Sequence, residues 1–143
     1  MERLRTGRSL VRLARMVDSG GHAATRVLVV DDEPSIRLLC RINLELEGYE
    51  VLEAESLATV RTMLEEEHVD VVVLDVHLRG ERSDELVAEC HAREPRIPVL
   101  LVTGSIDITH PALAEADAIL PKPFELEALL STVRDLAGVH ARR

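Results

Sequence analysis

From Arg26 onward, apolar and polar positions alternate between two kinds of pattern. Short runs rich in valine, leucine and isoleucine have the length of strands, and between them apolar residues recur every three or four positions, as in amphipathic helices. The strand-like runs are "RVLVVD", "YEVLEA", "VDVVVLD", "IPVLLVTG" and "ADAIL". The helical patterns are "PSIRLLCRINLELEG", "SLATVRTMLEEEH", "SDELVAECHARE", a short stretch from Pro111 to Glu115, and "ELEALLSTVRDLAG".

Local signals mark the ends of two of these helices. Pro34 falls in the first turn of the first helix and Gly48 follows its last turn, the usual places for these residues. Ser56 stands where a cap is needed at the start of the second helix. The apolar positions of the first helix recur at helical spacing at Ile36, Leu39, Ile42 and Leu46.

The alternation of strand and helix predicts one α/β fold. Short connections between parallel strands require helices, and these cover both faces of the sheet. The three valine- and leucine-rich strands belong in the middle, whereas the alternating "YEVLEA" predicts a more exposed edge strand and Pro121 ends the other edge. We therefore predict a flavodoxin-like, doubly wound, five-stranded parallel sheet of order 2-1-3-4-5 with helices on both faces.

The chain divides into three segments by pattern. Residues 1–25 form a basic, amphipathic N-terminal extension whose "DSGGHAA" predicts a break and linker, residues 26–138 form the α/β domain, and residues 139–143 a short tail. No output domain is expected after the last helix. In the extension, one helical face carries Leu10, Leu13, Ala14 and Val17, and the other carries Arg5, Arg8, Arg12 and Arg15.

Composition and charge limit the partners of the domain. The 143 residues have a net charge of −9, and residues 1–25 carry +3, so the rest carries −12, which disfavours direct DNA binding. Aromatic residues are limited to Tyr49 and Phe124, which argues against base stacking. Cys40 and Cys90 are expected to be buried thiols in a reducing cytoplasm. No apolar run is long enough for a membrane span, so we expect a cytoplasmic protein.

Acidic side chains collect at the predicted carboxyl ends of the strands. Asp31 and Asp32 follow the first strand and Asp75 ends the third, and the order 2-1-3-4-5 brings these neighbouring strand ends together. Three carboxylates in one place repel one another unless a cation lies among them. Carboxylate oxygens and water suit Mg²⁺, which we expect as the cofactor.

Two further residues are expected to face the acidic cluster. Thr103 ends the fourth strand and Lys122 follows the fifth. A hydroxyl and an ammonium opposite a metal are suited to binding phosphoryl oxygens. Asp75, emerging at the end of a buried strand, is then placed to act as a nucleophilic carboxylate that forms an acyl phosphate.

The segments "VLVVDDEPSIR", "VVVLDVHL", "LLVTGS" and "PKPF", in this order and at this spacing, resemble the receiver domain of two-component response regulators across residues 26–138. The resemblance implies a switch that takes a phosphoryl group on Asp75 from a histidine kinase or phosphotransfer protein, with Mg²⁺. It implies output through an unknown downstream protein, no enzymatic activity beyond the domain's own phosphorylation and dephosphorylation, and, we expect, a monomer.

The resemblance also assigns roles within the site. Asp32 matches the acid that binds the metal directly, Asp31 the acid that acts through water, and His77 the residue whose backbone carbonyl binds Mg²⁺. Thr103 matches the switch hydroxyl. Lys122 matches the lysine that pairs with the phosphoryl group, and the Lys122–Pro123 peptide matches one that is usually cis.

Three positions depart from the family pattern. Arg79 and Ser83 stand where proline and glycine are common, which permits a more mobile loop, and Ile119 replaces the usual aromatic switch residue. These changes support an alternative, a degenerate receiver that acts as a phosphorylation-independent interaction module. A small phosphatase or phosphotransferase is a third hypothesis. It is disfavoured because His77 stands where a second acid is usual and the chain has no room for a substrate cap.

Overall fold

The computed structural model describes residues 24–78, 82–104 and 111–141. The predicted N-terminal helix and Arg79 lie outside these residues. The strands are β1 (Arg26–Val30), β2 (Glu50–Ala54), β3 (Val71–Asp75), β4 (Val99–Thr103) and β5 (Ala118–Pro121). The helices are α1 (Pro34–Leu46), α2 (Leu57–Glu66), α3 (Ser83–His91), α4 (Pro111–Glu115) and α5 (Leu126–Ala141).

The strands form one parallel sheet of order β2-β1-β3-β4-β5, which confirms the predicted topology. One apolar layer joins the sheet to α2, α3 and α4, and the other joins it to α1 and α5. Strands β3 and β4 are buried throughout because helices cover both of their faces. The helices on both faces are thus confirmed, and all five strands end at the same edge of the sheet.

The predicted helix signals act where they were expected. Pro34 lies in the first turn of α1, and Gly48, which follows the helix, has a φ of 102° that favours glycine. The Ser56 side chain caps α2 by accepting a hydrogen bond of 3.3 Å from the Thr59 N–H. The closing helix differs, since α5 continues to Ala141 rather than ending at residue 138.

Strand β2 lies at the sheet edge as predicted, but the expectation that it is more exposed is wrong. Four of its five residues are buried, and Glu50 is only 2% exposed. The Arg26 guanidinium pairs with Glu50 and lies 3.1 Å from Glu67, so a charged edge residue is buried with its partner. In β2, a polar residue in the alternating pattern is therefore buried in an ion pair and does not face water.

Helix α1 presents an unexpected face to the sheet. Its buried residues are Cys40 and Leu44, whereas Leu39, Ile42 and Leu46 are 43%, 47% and 78% exposed. The sheet contacts the narrower apolar side of the helix, so most positions in the predicted periodic pattern point to solvent.

Both cysteines are free and buried, as predicted. Burial raises the pKa of the Cys40 thiol to about 11 and that of the Cys90 thiol to about 12, so both are neutral at physiological pH. In the part of the chain that the structure describes, no helix has the length and apolarity needed to cross a membrane.

A cluster of hydrogen bonds closes the amino end of the β4–β5 pair. The Asp117 carboxylate accepts from the Val99 N–H (2.8 Å), Arg96 (2.7 Å) and His91 Nε2 (2.7 Å). Burial alone would raise the pKa of Asp117, but these bonds outweigh burial and lower it. The carboxylate thus ties α3 and the following loop to the start of two strands.

Candidate functional site

The carboxyl edge of the sheet brings three acidic side chains together. Val30 of β1 pairs with Leu74 of β3, so the residues that follow, Asp31 and Asp75, emerge side by side. They are 3% and 6% exposed, and Asp32 is less buried. One carboxylate oxygen from each of the three residues lies within 4.8 Å of the others. This is the convergence that the predicted strand order requires.

Backbone donors orient two of these carboxylates. The Glu33 N–H donates to Asp31 Oδ1, and the His77 N–H donates to Asp75 Oδ1, each at 2.9 Å. Both bonds join an aspartate to the residue two positions later, a local turn that aspartate favours. The other oxygen of each carboxylate, Oδ2, is directed to the lysine that follows β5.

Lys122 bridges two of the acids. Its Nζ lies 3.0 Å from Asp31 Oδ2 and 3.4 Å from Asp75 Oδ2, and its side chain is 19% exposed. Its backbone N–H donates to the Thr103 carbonyl at 2.7 Å, which joins the ends of β4 and β5. The Lys122–Pro123 peptide is cis, as the resemblance implies. Lys122 is also the only lysine in the sequence.

The electrostatics of the site favour a further cation. Burial, together with the charge of Asp75, raises the pKa of Asp31 despite the Glu33 N–H and the Lys122 ammonium, which lower it. Burial would lower the pKa of Lys122, but its bonds to Asp31 and Asp75 outweigh burial and raise it. Three carboxylates against one ammonium leave an excess of negative charge. A donor set made only of oxygens fits Mg²⁺ rather than a softer metal.

A family model described as "Response regulator receiver domain" matches residues 27–134. The chain belongs to this family. The receiver domain of two-component response regulators is a signalling module, and the predicted family and fold are therefore confirmed.

Named relatives support the same family. The chain is 34% identical over 115 residues to the C4-dicarboxylate transport transcriptional regulatory protein DctD of Pseudomonas aeruginosa, covering 78% of this chain and 25% of DctD. It is 32% identical over 116 residues to the response regulator MprA of Mycobacterium bovis, covering 79% of this chain and 50% of MprA. The chain thus spans a quarter to a half of these relatives, and the expectations of a monomer that does not bind DNA stay predictions.

Solved receiver structures have the same fold. A CheY-like response regulator receiver domain protein from Methanospirillum hungatei matches with a TM-score of 0.76 and 28% identity, covering 84% of this chain and 98% of that one. The beryllofluoride-activated NtrC4 receiver domain dimer matches with a TM-score of 0.72 and 32% identity, covering 80% and 98%.

Two predicted site residues of the receiver domain lie beside the acidic cluster. Thr103 is buried at the end of β4, one residue past Val102, which pairs with Asp75. His77 is exposed, and its backbone N–H is the group that contacts Asp75. The prediction that its ring lies in solvent beside the site agrees with this exposure.

Two residues near the site were not singled out as partners from the sequence. Ser83 is fully buried at the start of α3, and its hydroxyl lies 3.3 Å from the Asp75 carbonyl and 3.2 Å from the Val76 carbonyl. A serine at a helix start was the available signal. Arg37 donates to the Asp31 carbonyl at 2.6 Å and lies 3.3 Å from Glu53. Both side chains hold the backbone that carries the acids.

Proposed function

We propose that this receiver domain is a phosphorylation-operated switch and that Asp75 accepts the phosphoryl group. The observation that carries the proposal is the position of Lys122, whose ammonium lies between Asp31 and Asp75 at the carboxyl edge of the sheet. Strand β3 lies between β1, which carries the other acids, and β4, which ends in Thr103. Asp75 is therefore the carboxylate with neighbours on both sides.

The donor is proposed to be a phosphohistidine of a histidine kinase or phosphotransfer protein. An Asp75 carboxylate oxygen attacks phosphorus, and the O–P bond forms as the N–P bond breaks and the imidazole leaves with the bonding electrons. We expect the Lys122 ammonium and the Thr103 hydroxyl to donate to phosphoryl oxygens. The product is an acyl phosphate on Asp75.

The residues that would hold Mg²⁺ are Asp32 directly, Asp31 through water, Asp75, and His77 through its backbone carbonyl. Mg²⁺, when bound, neutralises charge on the transferring phosphoryl group. Without it, the excess of carboxylates at this edge opposes the approach of an anionic donor. Before the phosphoryl donor binds, the Lys122 ammonium is proposed to neutralise part of the negative charge of Asp31 and Asp75.

The output is proposed to pass through a protein partner in the cytoplasm. The loops after Asp75 and Thr103 are expected to change most on phosphorylation, because each follows a residue that we propose contacts the phosphoryl group. Ile119 is 47% exposed, and its branched side chain has few rotamers to exchange, so we expect it to move little. We propose that the domain acts as a monomer, makes no direct contact with DNA and turns over no other substrate.

The test is phosphorylation by acetyl phosphate, followed by intact mass measurement. With Mg²⁺, the wild type should gain one phosphoryl group that is stable in acid and labile in base, and excess chelator should prevent the gain. Asp75→Asn keeps the shape of the side chain and should abolish labelling, whereas Asp84→Asn, which changes an acid outside the cluster, should not. Labelling that persists in Asp75→Asn would place the acceptor elsewhere. A wild type that is never labelled would favour the phosphorylation-independent interaction module.

A further inference from the structure

Helix α1 carries an apolar surface on the side that faces away from the sheet. Among the described residues, five large apolar side chains are exposed, and four of them lie on this one helix. We call these four the α1 stripe, which consists of Leu38, Leu39, Ile42 and Leu46. Single exposed leucines need no explanation, but a contiguous apolar surface indicates a binding partner.

The α1 stripe is a continuous surface with charged borders. Leu38, Ile42 and Leu46 are spaced by four residues, so they follow one side of the helix over about 12 Å. On one border Arg41 lies 2.8 Å from Glu53, and on the other Glu47 lies 3.5 Å from Arg134. These ion pairs leave the centre of the stripe apolar. A partner that fits is therefore a second apolar helix face.

The start of β1 lies next to the last turn of α1. The Tyr49 N–H donates to the Leu44 carbonyl at 3.1 Å, and the next residue, Glu50, donates its N–H to the Thr25 carbonyl at 3.0 Å. Thr25, which precedes β1, therefore lies beside the Leu46 end of the stripe.

The chain that precedes this point has a matching sequence pattern. Leu10, Leu13, Ala14 and Val17 recur at helical spacing, and in a helix they would span about 10 Å, close to the length of the stripe. The seven residues 18–24 can reach about 23 Å when extended, which is enough to return along α1. Residues 1–25 carry a charge of +3 and the rest of the chain −12, so their association is also electrostatically favourable.

We propose that the apolar side of residues 10–17 packs as a helix onto the α1 stripe of the same chain. The arginines on the opposite side of this segment stay in water. The segment then covers the outer face of α1, and any protein that needs this face must displace it. The contact does not depend on phosphorylation, so it stands or fails separately from the function proposed above.

The test measures how accessible the stripe is in the full-length chain. Ile42→Cys places a thiol in the stripe, while the buried native thiols at Cys40 and Cys90, with pKa values of about 11 and 12, react slowly at neutral pH. Ala58→Cys places the same probe on the exposed side of α2 as the reference. Alkylation of the thiol at position 42 should be about tenfold slower than at position 58.

Variants of the segment separate its apolar contact from its charge. Adding Leu13→Glu and Val17→Glu to the Ile42→Cys chain should raise the alkylation rate to that of the reference. Adding Arg8→Gln and Arg12→Gln changes the net charge by the same amount and should change the rate by less than about twofold. The proposal would be overturned if the Ile42→Cys and Ala58→Cys chains, with residues 1–25 unchanged, were alkylated at equal rates. It would also be overturned if the thiol at position 42 stayed protected after Leu13→Glu and Val17→Glu were added. Protection that disappears on dilution would instead assign the stripe to a second copy of the chain.

Discussion

Replacing Lys122 by methionine tests the electrostatic account of the site. Lys122→Met keeps most of the side-chain volume but removes the ammonium that lies 3.0 Å from Asp31 and 3.4 Å from Asp75. Each contact corresponds to a gross attraction of about 5 kcal/mol at an effective dielectric constant of about 20. Much of this is offset, because the ammonium no longer has to be removed from water.

Protonation of Asp31 limits the net loss of stability. The pKa of Asp31 is already raised above 3.8, and losing Lys122 raises it further. If Asp31 is protonated in the folded variant, the cost is the free energy of protonating a carboxylate whose ordinary pKa is 3.8. At 1.36 kcal/mol per pH unit this cost is at most about 4 kcal/mol at pH 7 and about 1.6 kcal/mol at pH 5. A raised pKa in the folded state means that stability falls as the pH rises through it. We therefore expect Lys122→Met to lower the free energy of unfolding by about 2–4 kcal/mol at pH 7 and by less than about 2 kcal/mol at pH 5.

Urea unfolding followed by far-ultraviolet circular dichroism provides the measurement, since the chain has no tryptophan. Samples contain a chelator, because bound metal would replace part of the lost charge. Adding Asp31→Asn to Lys122→Met should recover at least half of the loss at pH 7. Arg134→Met removes an arginine from an exposed pair and should cost less than about 0.5 kcal/mol. A Lys122→Met loss below about 0.5 kcal/mol at pH 7, or one that grows on acidification, would refute the reasoning.

Two further predictions concern stability away from the ammonium. Ser83→Ala removes the buried hydroxyl that contacts the Asp75 and Val76 carbonyls and should lower the free energy of unfolding by about 1–2 kcal/mol. Ser35→Ala, on the exposed side of α1, is the control and should leave this free energy unchanged. Equal effects of the two substitutions would contradict the role of Ser83. Because the pKa of Asp117 is lowered in the folded state, its stabilising effect should be complete above pH 5 and lost as the pH falls below about 3.8. The difference in urea-unfolding free energy between Asp117→Asn and the wild type should therefore shrink on acidification, and a constant difference would argue against the ionised carboxylate as its source.

The sheet and the convergence of the acids could be predicted because both follow from the order of strands and helices along the chain. A valine-rich run that ends in Asp75 places that residue at a strand end, and strand order then decides its neighbours. The position of Lys122 after the fifth strand predicts that it faces the same edge, and the resemblance added the cis peptide. The positions of strand ends depend on the order of strands and helices, and the pattern of apolar and polar residues predicts this order well.

What could not be predicted depends on the rotation and pairing of side chains. Helix α1 has apolar residues on two sides, so periodicity alone does not show that Cys40 and Leu44 face the sheet. Strand β2 was predicted to be more exposed, but Glu50 is buried with Arg26, and this partner lies on the neighbouring strand, far away in the sequence. Ser83 departs from the family's usual glycine, and only the fold shows two carbonyls within reach of its hydroxyl.

Because Lys122 is the only lysine, a reagent that modifies amines can label the site selectively. Reductive methylation with ¹³C-formaldehyde keeps the positive charge and modifies only two kinds of group, the Lys122 amine and the chain terminus. The two differ in ordinary pKa by more than two units, so their methyl resonances separate by titration. One resonance from the labelled chain would then follow the proposed metal binding and phosphoryl transfer to Asp75 in real time, without isotopic labelling during expression.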